Sequence, residues 1–336
     1  MDFKLHTSFP QELAPAWDEL LKHSILDVPF LNYSHLKIWW QTRGGGEWPS
    51  SDELAVVSAC EGKELFGLAP LFIHDNHTLM LLGSKEICDY LDLIVKPENL
   101  QPFIKGLVNF ISSSSFPKWD QIILHNLMQS SETIGILKET AQKMGWEFSM
   151  DCHKQSPYIL LPGNWNEYLL SIDKKQRHEI RRKMRRAEEK SDLRWYFIED
   201  EHHFDDAVND FLGLMEKDEE KLRFLTPQMK GHMRAVMQWA FENKILQLSF
   251  LEIGGRRAAA YYCFNYQNKI LVYNSGFDPD FGEFSPGWVL LGYLLKWANE
   301  NRVSEFDFMR GNEDYKYRFG GKDRFVVCVK IRRKAI

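Results

Sequence analysis

The chain has 336 residues, and at roughly 100–200 residues per domain this length predicts two domains, each large enough for its own hydrophobic core. Hydrophobic residues make up 44% and charged residues 26%, which is typical of a folded globular protein. The net charge of -5 excludes a general attraction to nucleic acid or to anionic membranes, so a basic binding site would have to be local.

Cysteine usage and the N-terminal residues both favour a protein that stays in the cytoplasm. The 5 cysteines are scattered and include no C-x-x-C pair, which argues against a disulfide framework or a zinc site. The N-terminus, MDFKLHTSFPQELAPAW, lacks a positive segment followed by an apolar core, and no run approaches 18 uninterrupted apolar residues. We therefore predict a cytoplasmic location, no membrane span and no bound metal.

Strand-like runs and helix-like runs recur in the same order in the two halves of the chain. Three apolar runs, then an amphipathic helix and one further strand, lie at 53–60, 65–73, 78–84, 99–111 and 119–127 in the first half, and at 246–253, 257–266, 269–275, 286–301 and 304–311 in the second. Each set of three runs predicts a three-stranded meander. The repeated order predicts two tandem α/β domains with mixed sheets, although the halves share little sequence.

The domain junction is predicted at 151–163, where two prolines and a glycine interrupt the pattern. This gives an N-terminal domain at 1–155 and a C-terminal domain at 156–336. A basic helix follows at 174–190, opened by Asp173 and Gln176 as a variant capping box. Arg177, Arg181 and Arg185 recur every four residues, so they could line a wall for a phosphate-bearing donor or RNA, or simply form a solvated face.

A glycine-rich loop leads directly into the apolar helix predicted at 286–301. Ser285 suits the N-cap position, Pro286 suits the first helical position, and Gly287 leaves the backbone unshielded. Free amides at a helix N-terminus attract phosphate oxygens, so this loop could hold a pyrophosphate. A well-capped structural helix explains the same three residues.

The segment SEFDFMRGNEDYKYRFGG at 304–321 gathers side chains suited to acid–base chemistry near a predicted strand end. Asp307 or Glu313 could accept a proton, Tyr315 could protonate a leaving group, and Lys316 could stabilise negative charge or bind phosphate. Ligands of α/β sheets collect at the carboxyl ends of strands, which supports a site here. The alternative is a pair of structural ion pairs, Asp307 with Arg310 and Glu313 with Lys316.

Four of these segments together resemble a known family. DYLDLIV at 89–95, the basic helix, SPG at 285–287 and FDFMRGNEDYKYRFG at 306–320 are similar to the CelD-like acetyltransferase group of the GNAT superfamily, a relative of the FemABX aminoacyltransferases. The resemblance spans about 29–330, and D-F-x-x-G-x-E-x-Y-K is its most specific element. It implies two tandem GNAT-like domains in a bacterial protein linked to polysaccharide or cell-envelope synthesis.

The resemblance also implies roles for particular residues. The C-terminal domain would hold the donor at Ser285, Pro286 and Gly287, with Arg177 and Arg181 beside the phosphates. The catalytic region would comprise Asp307, Glu313, Tyr315 and Lys316, and the acceptor side would comprise Asp89, Tyr90, Asp92 and Arg310. No basic residue opens the loop GEFSPGW, in contrast to the usual GNAT loop, so another acyl-CoA, an acyl carrier protein or an aminoacyl-tRNA stays open as donor beside acetyl-CoA.

These inferences predict an N-acyltransferase that moves an acyl group from acyl-CoA to an amine or hydroxyl of a small molecule, sugar or envelope precursor. We expect a direct ternary-complex reaction, since no Ser, Cys and His arrangement suggests an activated nucleophile. Two rivals remain: a FemABX-like aminoacyltransferase that uses charged tRNA, and a non-catalytic module that binds an envelope precursor or partner on a GNAT scaffold. Nothing indicates DNA as a partner.

Overall fold

The chain divides into two units in the computed structural model, which describes residues 1–190 and 192–333. The first unit comprises Met1–Lys154 together with the C-terminal segment that begins at Arg324, and the second comprises Gln155–Asp323. The sequence-based division placed all of 156–336 in the second domain. The last strand instead pairs within the first unit, because its apolar residues complete a sheet there.

The first unit contains ten strands and five α-helices among its described residues. The strands are β1 (Asp2–His6), β2 (Glu53–Leu54), β3 (Val56–Glu61), β4 (Glu64–Ala69), β5 (Leu71–His74), β6 (Thr78–Leu81), β7 (Ile94–Val95), β8 (Gln121–Met128), β9 (Glu147–Gln155) and, from the end of the chain, β16 (Phe325–Arg332). The helices are α1 (Ala14–Leu21), α2 (Tyr33–Gln41), α3 (Arg43–Gly46), α4 (Leu100–Ile111) and α5 (Glu132–Lys143).

These strands form two sheets, and two runs that we predicted as single strands are each divided between them. The sheet orders are β1-β3-β4-β7 and β2-β5-β6-β8-β16-β9. Pro70 separates β4 from β5 because it lacks the N–H that a sheet ladder needs, and the chain passes there from one sheet to the other. The three predicted runs of the first half do pair in antiparallel sequence, through β3 with β4, β2 with β5 and β5 with β6, but this meander is divided between two sheets. The helix and the strand that follow it are confirmed as α4 and β8.

The second unit is built around one mixed sheet of six strands. They are β10 (Tyr158–Leu160), β11 (Leu193–Phe197), β12 (Leu246–Ile253), β13 (Arg256–Tyr266), β14 (Lys269–Phe277) and β15 (Glu305–Asp307), in the order β10-β15-β14-β13-β12-β11. The helices are α6 (Trp165–Ser171), α7 (Lys174–Lys190), α8 (Phe204–Met215), α9 (Glu219–Phe224), α10 (Pro227–Glu242), α11 (Pro286–Glu300) and α12 (Asp314–Arg318).

The meander predicted for the second half is confirmed, because β12, β13 and β14 pair in antiparallel sequence. Helices α7 and α11 share a core with one face of this sheet, and α8 packs against β13 and β14. Gly276 on β14 permits the close approach of α8, since a Cβ there would lie 2.6 Å from backbone atoms of Leu214 and Met215. No helix in the described part of the chain is both long and apolar enough to span a membrane.

Asp92 is a buried anchor inside the first unit. Its carboxylate accepts hydrogen bonds from the Ser131 hydroxyl (2.5 Å), the Thr133 hydroxyl (2.7 Å) and the Leu93 amide (2.8 Å). Ser131 is the N-cap of α5, so these bonds tie the segment before β7 to the start of that helix. Burial raises the pKa of Asp92 to about 6, although the three hydrogen bonds act in the opposite direction.

We expect Asp92→Ala to lower the free energy of unfolding by about 2–3 kcal/mol at pH 5, because the buried Thr133 hydroxyl and the half-buried Ser131 hydroxyl lose their acceptor. A carboxyl whose pKa is raised on folding contributes stability at low pH, and that contribution is lost as pH rises from the unfolded value to about 6. The cost of the substitution should therefore be smaller at pH 7.5. Urea unfolding of the wild type and of Asp92→Ala at pH 5 and pH 7.5 measures this cost.

The control is Asp2→Ala, on the exposed face of β1, which should cost less than about 0.5 kcal/mol at either pH. An Asp92→Ala cost that grows between pH 5 and pH 7.5 would contradict the assignment of Asp92 as a buried, largely protonated anchor.

Candidate active site

The sheet of the second unit opens between β14 and β15. These strands run parallel and pair only over Lys269–Leu271 with Glu305–Asp307, whereas β14 continues to Phe277. A β-bulge in the β13–β14 pairing, between Tyr262 and Cys263, lies beside the point where β15 ends. Bulges bend a strand and increase its twist, so this one helps to turn the far half of β14 away from β15.

A pocket occupies the space between β14 and the first turn of α11. Its volume is about 190 Å³, and its wall is formed by Tyr261, Ser275, Gly276, Phe277, Gly287, Trp288, Leu291, Tyr315 and Phe319. Most of these side chains are apolar or aromatic, which suits a pocket for an organic ligand. The Tyr261 hydroxyl donates to the Gly287 carbonyl (3.3 Å) and joins the sheet to the helix at the pocket wall.

The first turn of α11 presents free backbone amides. Ser285 occupies the N-cap position, as predicted, but its backbone is left-handed (φ 53, ψ 56) and its side chain makes no capping hydrogen bond. Pro286 has no N–H, so the amides of Gly287 and Trp288 are the donors that this turn leaves without an intrahelical partner. Such amides favour an anion.

The basic helix α7 reaches this end of the pocket through a lysine that the sequence analysis did not single out. The Lys183 ammonium lies 4.3 Å from the centroid of the Trp288 ring. Burial lowers the pKa of Lys183, with Glu179 opposing this effect and Arg182 and Arg318 adding to it. Arg177 instead donates to the Leu169 carbonyl (3.3 Å).

The position of Lys183 on α7 explains its contact with α11. Ile180, Met184 and Ala187 form the buried face of α7, and Met184 packs against Gly292 of α11. Lys183 adjoins that face, whereas Arg181 is exposed. The spacing of the three apolar residues was the signal that could have identified Lys183.

The loop after β15 is held by the side chains that we predicted to be catalytic. Asp307 is 1% exposed and accepts a hydrogen bond from the Met309 amide (2.8 Å). The Lys316 ammonium donates to the carbonyls of Met309, Arg310 and Gly311 at 3.2, 2.9 and 3.3 Å. These three bonds fix the loop backbone. Lys316 also forms an ion pair of 2.9 Å with Glu313, as the alternative interpretation expected.

Glu313 and Tyr315 are the predicted catalytic side chains with the clearest access to ligand. The Glu313 side chain is 57% exposed at the N-terminus of α12. Tyr315 forms part of the pocket wall, and burial, assisted by the Glu313 charge, raises the pKa of its hydroxyl well above the usual value. A protonated tyrosine hydroxyl at this wall can donate a proton.

The residues predicted for the acceptor side are distributed over both units. Asp89, Tyr90 and Asp92 lie in the first unit between β6 and β7, and all three are buried. The Arg324 guanidinium lies over the Tyr90 ring at 5.6 Å from its centroid. Arg310, half-buried, belongs to the loop after β15 in the second unit.

A second lysine near the pocket, Lys221 on α9, was also not identified in the sequence analysis. Its ammonium donates to the carbonyl of Ser275, which belongs to the pocket wall. Burial lowers its pKa, and the charges of Asp218 and Glu313 partly oppose this effect. No sequence pattern indicates the contact, because it depends on how α9 approaches a strand more than 50 residues later.

In the first unit, Asp52, His74 and Asp75 bring their ligand atoms within 4.8 Å of one another. The imidazole of His74 bonds to Asp52 through Nδ1 (3.0 Å) and to Asp75 through Nε2 (3.0 Å). Both ring nitrogens of His74 are thus engaged by carboxylates.

Comparisons with known proteins identify the second unit. Residues 174–317 match the family model described as "Acetyltransferase (GNAT) domain". This match contains α7, the pocket strands, the first turn of α11 and most of α12. No curated protein matches the chain.

Solved structures of low sequence identity share the fold of the whole chain. FemX has 12% identity and a TM-score of 0.65, covering 98% of this chain and 97% of its own. A conserved protein of unknown function from Bacteroides thetaiotaomicron VPI-5482 has 11% identity and a TM-score of 0.60, covering 99% and 100%. The C-terminal domain of a putative lysylphosphatidylglycerol synthetase from Agrobacterium fabrum has 8% identity and a TM-score of 0.53, covering 94% and 92%. Residues 174–317 thus resemble a GNAT acetyltransferase domain, and the chain as a whole has a two-domain GNAT architecture similar in fold to FemX.

Proposed function

We propose that this protein is a GNAT-type acyltransferase that moves an acyl group, acetyl in the simplest case, from acyl-CoA to an amine or hydroxyl of a small molecule, sugar or envelope precursor. One observation carries the proposal. The segment that matches the GNAT family contains an opened sheet with an apolar pocket of about 190 Å³, and free helix amides lie at one end of that pocket. Membership of the CelD-like group and a role in polysaccharide synthesis belong to the same proposal.

The donor would lie along the pocket with its phosphates at α11. A phosphate oxygen would accept hydrogen bonds from the backbone amides of Gly287 and Trp288, which follow Pro286 and the left-handed Ser285. The Lys183 ammonium would add positive charge beside them. The apolar arm of the donor would pass between α11 and the part of β14 that β15 leaves unpaired. Among the α7 arginines, we assign Arg177 to the internal contact with Leu169 and keep Arg181, which is exposed, as a phosphate contact.

The chemistry would be a direct attack of the acceptor on the thioester. Glu313 would accept the proton of the acceptor amine or hydroxyl, and Tyr315 would donate a proton to the leaving thiolate. Asp307 and Lys316 would act as positioning residues, because their hydrogen bonds hold the backbone of the loop between them. Burial raises the pKa of the Cys263 thiol well above its usual value, which supports transfer without a covalent cysteine intermediate.

On the acceptor side we keep Asp89, Tyr90 and Arg310 as candidates. Asp92 is assigned a structural role, since the hydroxyls of Ser131 and Thr133 and the Leu93 amide donate to its carboxylate.

Donor binding is tested by calorimetric titration with acetyl-CoA and with longer acyl-CoAs. We expect Gly287→Trp to weaken binding by about 10-fold or more. A Cβ at Gly287 would lie 3.6 Å from the Phe277 ring, so the backbone tolerates a side chain, but the indole would fill the pocket. The matched control is Gly231→Trp on the exposed surface of α10, which should bind as the wild type does. Wild-type protein that binds no acyl-CoA would contradict this donor class.

The proton donor is tested by Tyr315→Phe. We expect kcat to fall by about 100-fold, within the usual range for loss of a general acid, while the KM for the donor changes by less than about 3-fold. The control is Tyr317→Phe, whose hydroxyl bonds to the exposed Asp323 (2.8 Å). An unchanged kcat in Tyr315→Phe would remove Tyr315 as the acid.

A second candidate donor is aminoacyl-tRNA, favoured by the exposed basic side chains of α7. Lys174, Lys175, Arg181 and Arg185 are exposed along this helix. If RNA binds there, its affinity should fall steeply with salt and ribonuclease should abolish acyl transfer. Gel-shift titration at 50 and 200 mM salt, with Arg181→Ala and Arg185→Ala against the wild type, measures this. Affinity that does not depend on salt would contradict the tRNA alternative.

A further inference from the structure

Lys221 brings a positive charge to the β14 side of the pocket, through a hydrogen bond to the lining residue Ser275. Its helix, α9, begins after Asp218, whose carboxylate accepts hydrogen bonds from the amides of Glu220 and Lys221. From this short helix the Lys221 side chain extends to the Ser275 carbonyl on β14. Ser275 belongs to the pocket wall, so the ammonium lies beside the cavity.

The charge of Lys221 has no counterion in direct contact. Within the described residues, the Ser275 carbonyl is its one hydrogen-bond partner, and no carboxylate comes within 4.0 Å of its ammonium. Two neighbouring lysines differ, because Lys217 lies 3.9 Å from Asp278 and Lys316 lies 2.9 Å from Glu313. An ammonium has three donors, so two donors of Lys221 are available to another acceptor.

Burying an ammonium with one carbonyl as its partner costs free energy unless an anion joins it. Burial is also the largest cause of the lowered pKa of Lys221, because loss of water disfavours the charged form of its ammonium. A bound anion would offset this cost and would occupy the two available donors. The environment of Lys221 is therefore suited to receive a negatively charged group from outside the protein.

The backbone at Ser275 places this cation in the opening of the sheet. The Ser275 amide bonds to the side chain of Asn274 (2.9 Å), and its carbonyl accepts from Lys221. The pairing of β14 with β15 has already ended at Leu271, so this stretch of β14 borders the cavity. Under the proposed function, an acceptor that attacks a donor in the pocket would approach along this unpaired stretch of β14.

Glu313 supplies the opposite charge to the same region. Its carboxylate is close enough to raise the pKa of Lys221, yet its side chain is 57% exposed and bonded to Lys316. A carboxylate attracts the ammonium of an amine acceptor, and the Lys221 ammonium attracts an anionic group on the same molecule. The two charges together match a small molecule that carries both an amine and an oxyanion.

We propose that Lys221 binds the carboxylate or phosphate of an anionic amine acceptor and so selects this class of substrate. The inference rests on the proposed acyltransferase function and deepens it. The alternative is a purely structural role, in which Lys221 only ties α9 to β14. The experiment has to distinguish this role from anion binding.

The test uses three primary amines of similar length: β-alanine with a carboxylate, O-phosphoethanolamine with a phosphate, and n-propylamine, which carries no anionic group. Release of CoA from acetyl-CoA gives kcat/KM for each amine with the wild type, Lys221→Met, Lys221→Arg and the control Lys217→Met. We expect at least one anionic amine to exceed n-propylamine by about 10-fold or more in the wild type. Lys221→Met should remove this preference and leave n-propylamine within about 2-fold, while Lys221→Arg should retain part of it.

Saturation-transfer NMR with the same three amines and no donor detects binding at the anion site independently of acyl transfer. A signal for an anionic amine that is lost in Lys221→Met and kept in Lys217→Met supports the proposal even if acetyl-CoA proves to be the wrong donor. Three outcomes would overturn it: equal kcat/KM for the amines with and without an anionic group, an equal loss on all three amines in Lys221→Met, or no binding of either anionic amine. Circular dichroism of each variant confirms that it is folded.

Discussion

The separation of β14 from β15 after three residue pairs is the constraint on which the functional part of this molecule depends. β15 cannot follow its neighbour further, because the chain turns directly after Asp307 and Met309 adopts a left-handed backbone (φ 60). The bonds from Met309 to Asp307 and from Lys316 to three successive carbonyls hold that turn. The cavity beside α11 is bordered by the part of β14 that this turn leaves unpaired with β15.

This arrangement gives a protein of net charge -5 a local site with the opposite character. Lys183 stands at the end of the cavity beside α11, and Lys221 stands beside β14. Burial lowers the pKa of both lysines, since each ammonium has lost part of its water. Electrostatic interactions are stronger where water is excluded, so two such charges can influence a ligand more than the many exposed lysines and arginines of α7.

Much of this architecture could be predicted from local sequence patterns. Alternation located β12, β13 and β14, and the segment Ser285–Gly287 before an apolar run located the start of α11. The four segments that suggested a GNAT relative were sufficient for the fold of the whole chain. These features depend on residues close together in the sequence, where periodicity and turn preferences act directly.

The remaining features depend on contacts between distant residues. The place of β16 and the contact of Lys221 with Ser275 each join segments far apart in the chain. The ion pair of Lys316 with Glu313 was among the alternatives read from the sequence, but its three carbonyl partners were beyond prediction, because every residue has a backbone carbonyl. Side-chain chemistry alone suggested a catalytic lysine and gave no indication of its hydrogen bonds to the loop backbone.

The position of β16 has a consequence for how the protein is made. This strand lies between β8 and β9 in the first unit, although the whole second unit precedes it in the chain. During synthesis, the second unit can therefore emerge and fold as a continuous segment while the earlier sheet still lacks an interior strand. The first unit reaches its final hydrogen bonding only after β16 has been synthesised, so a ribosome that stalls before β16 leaves two strand edges open to incorrect pairing.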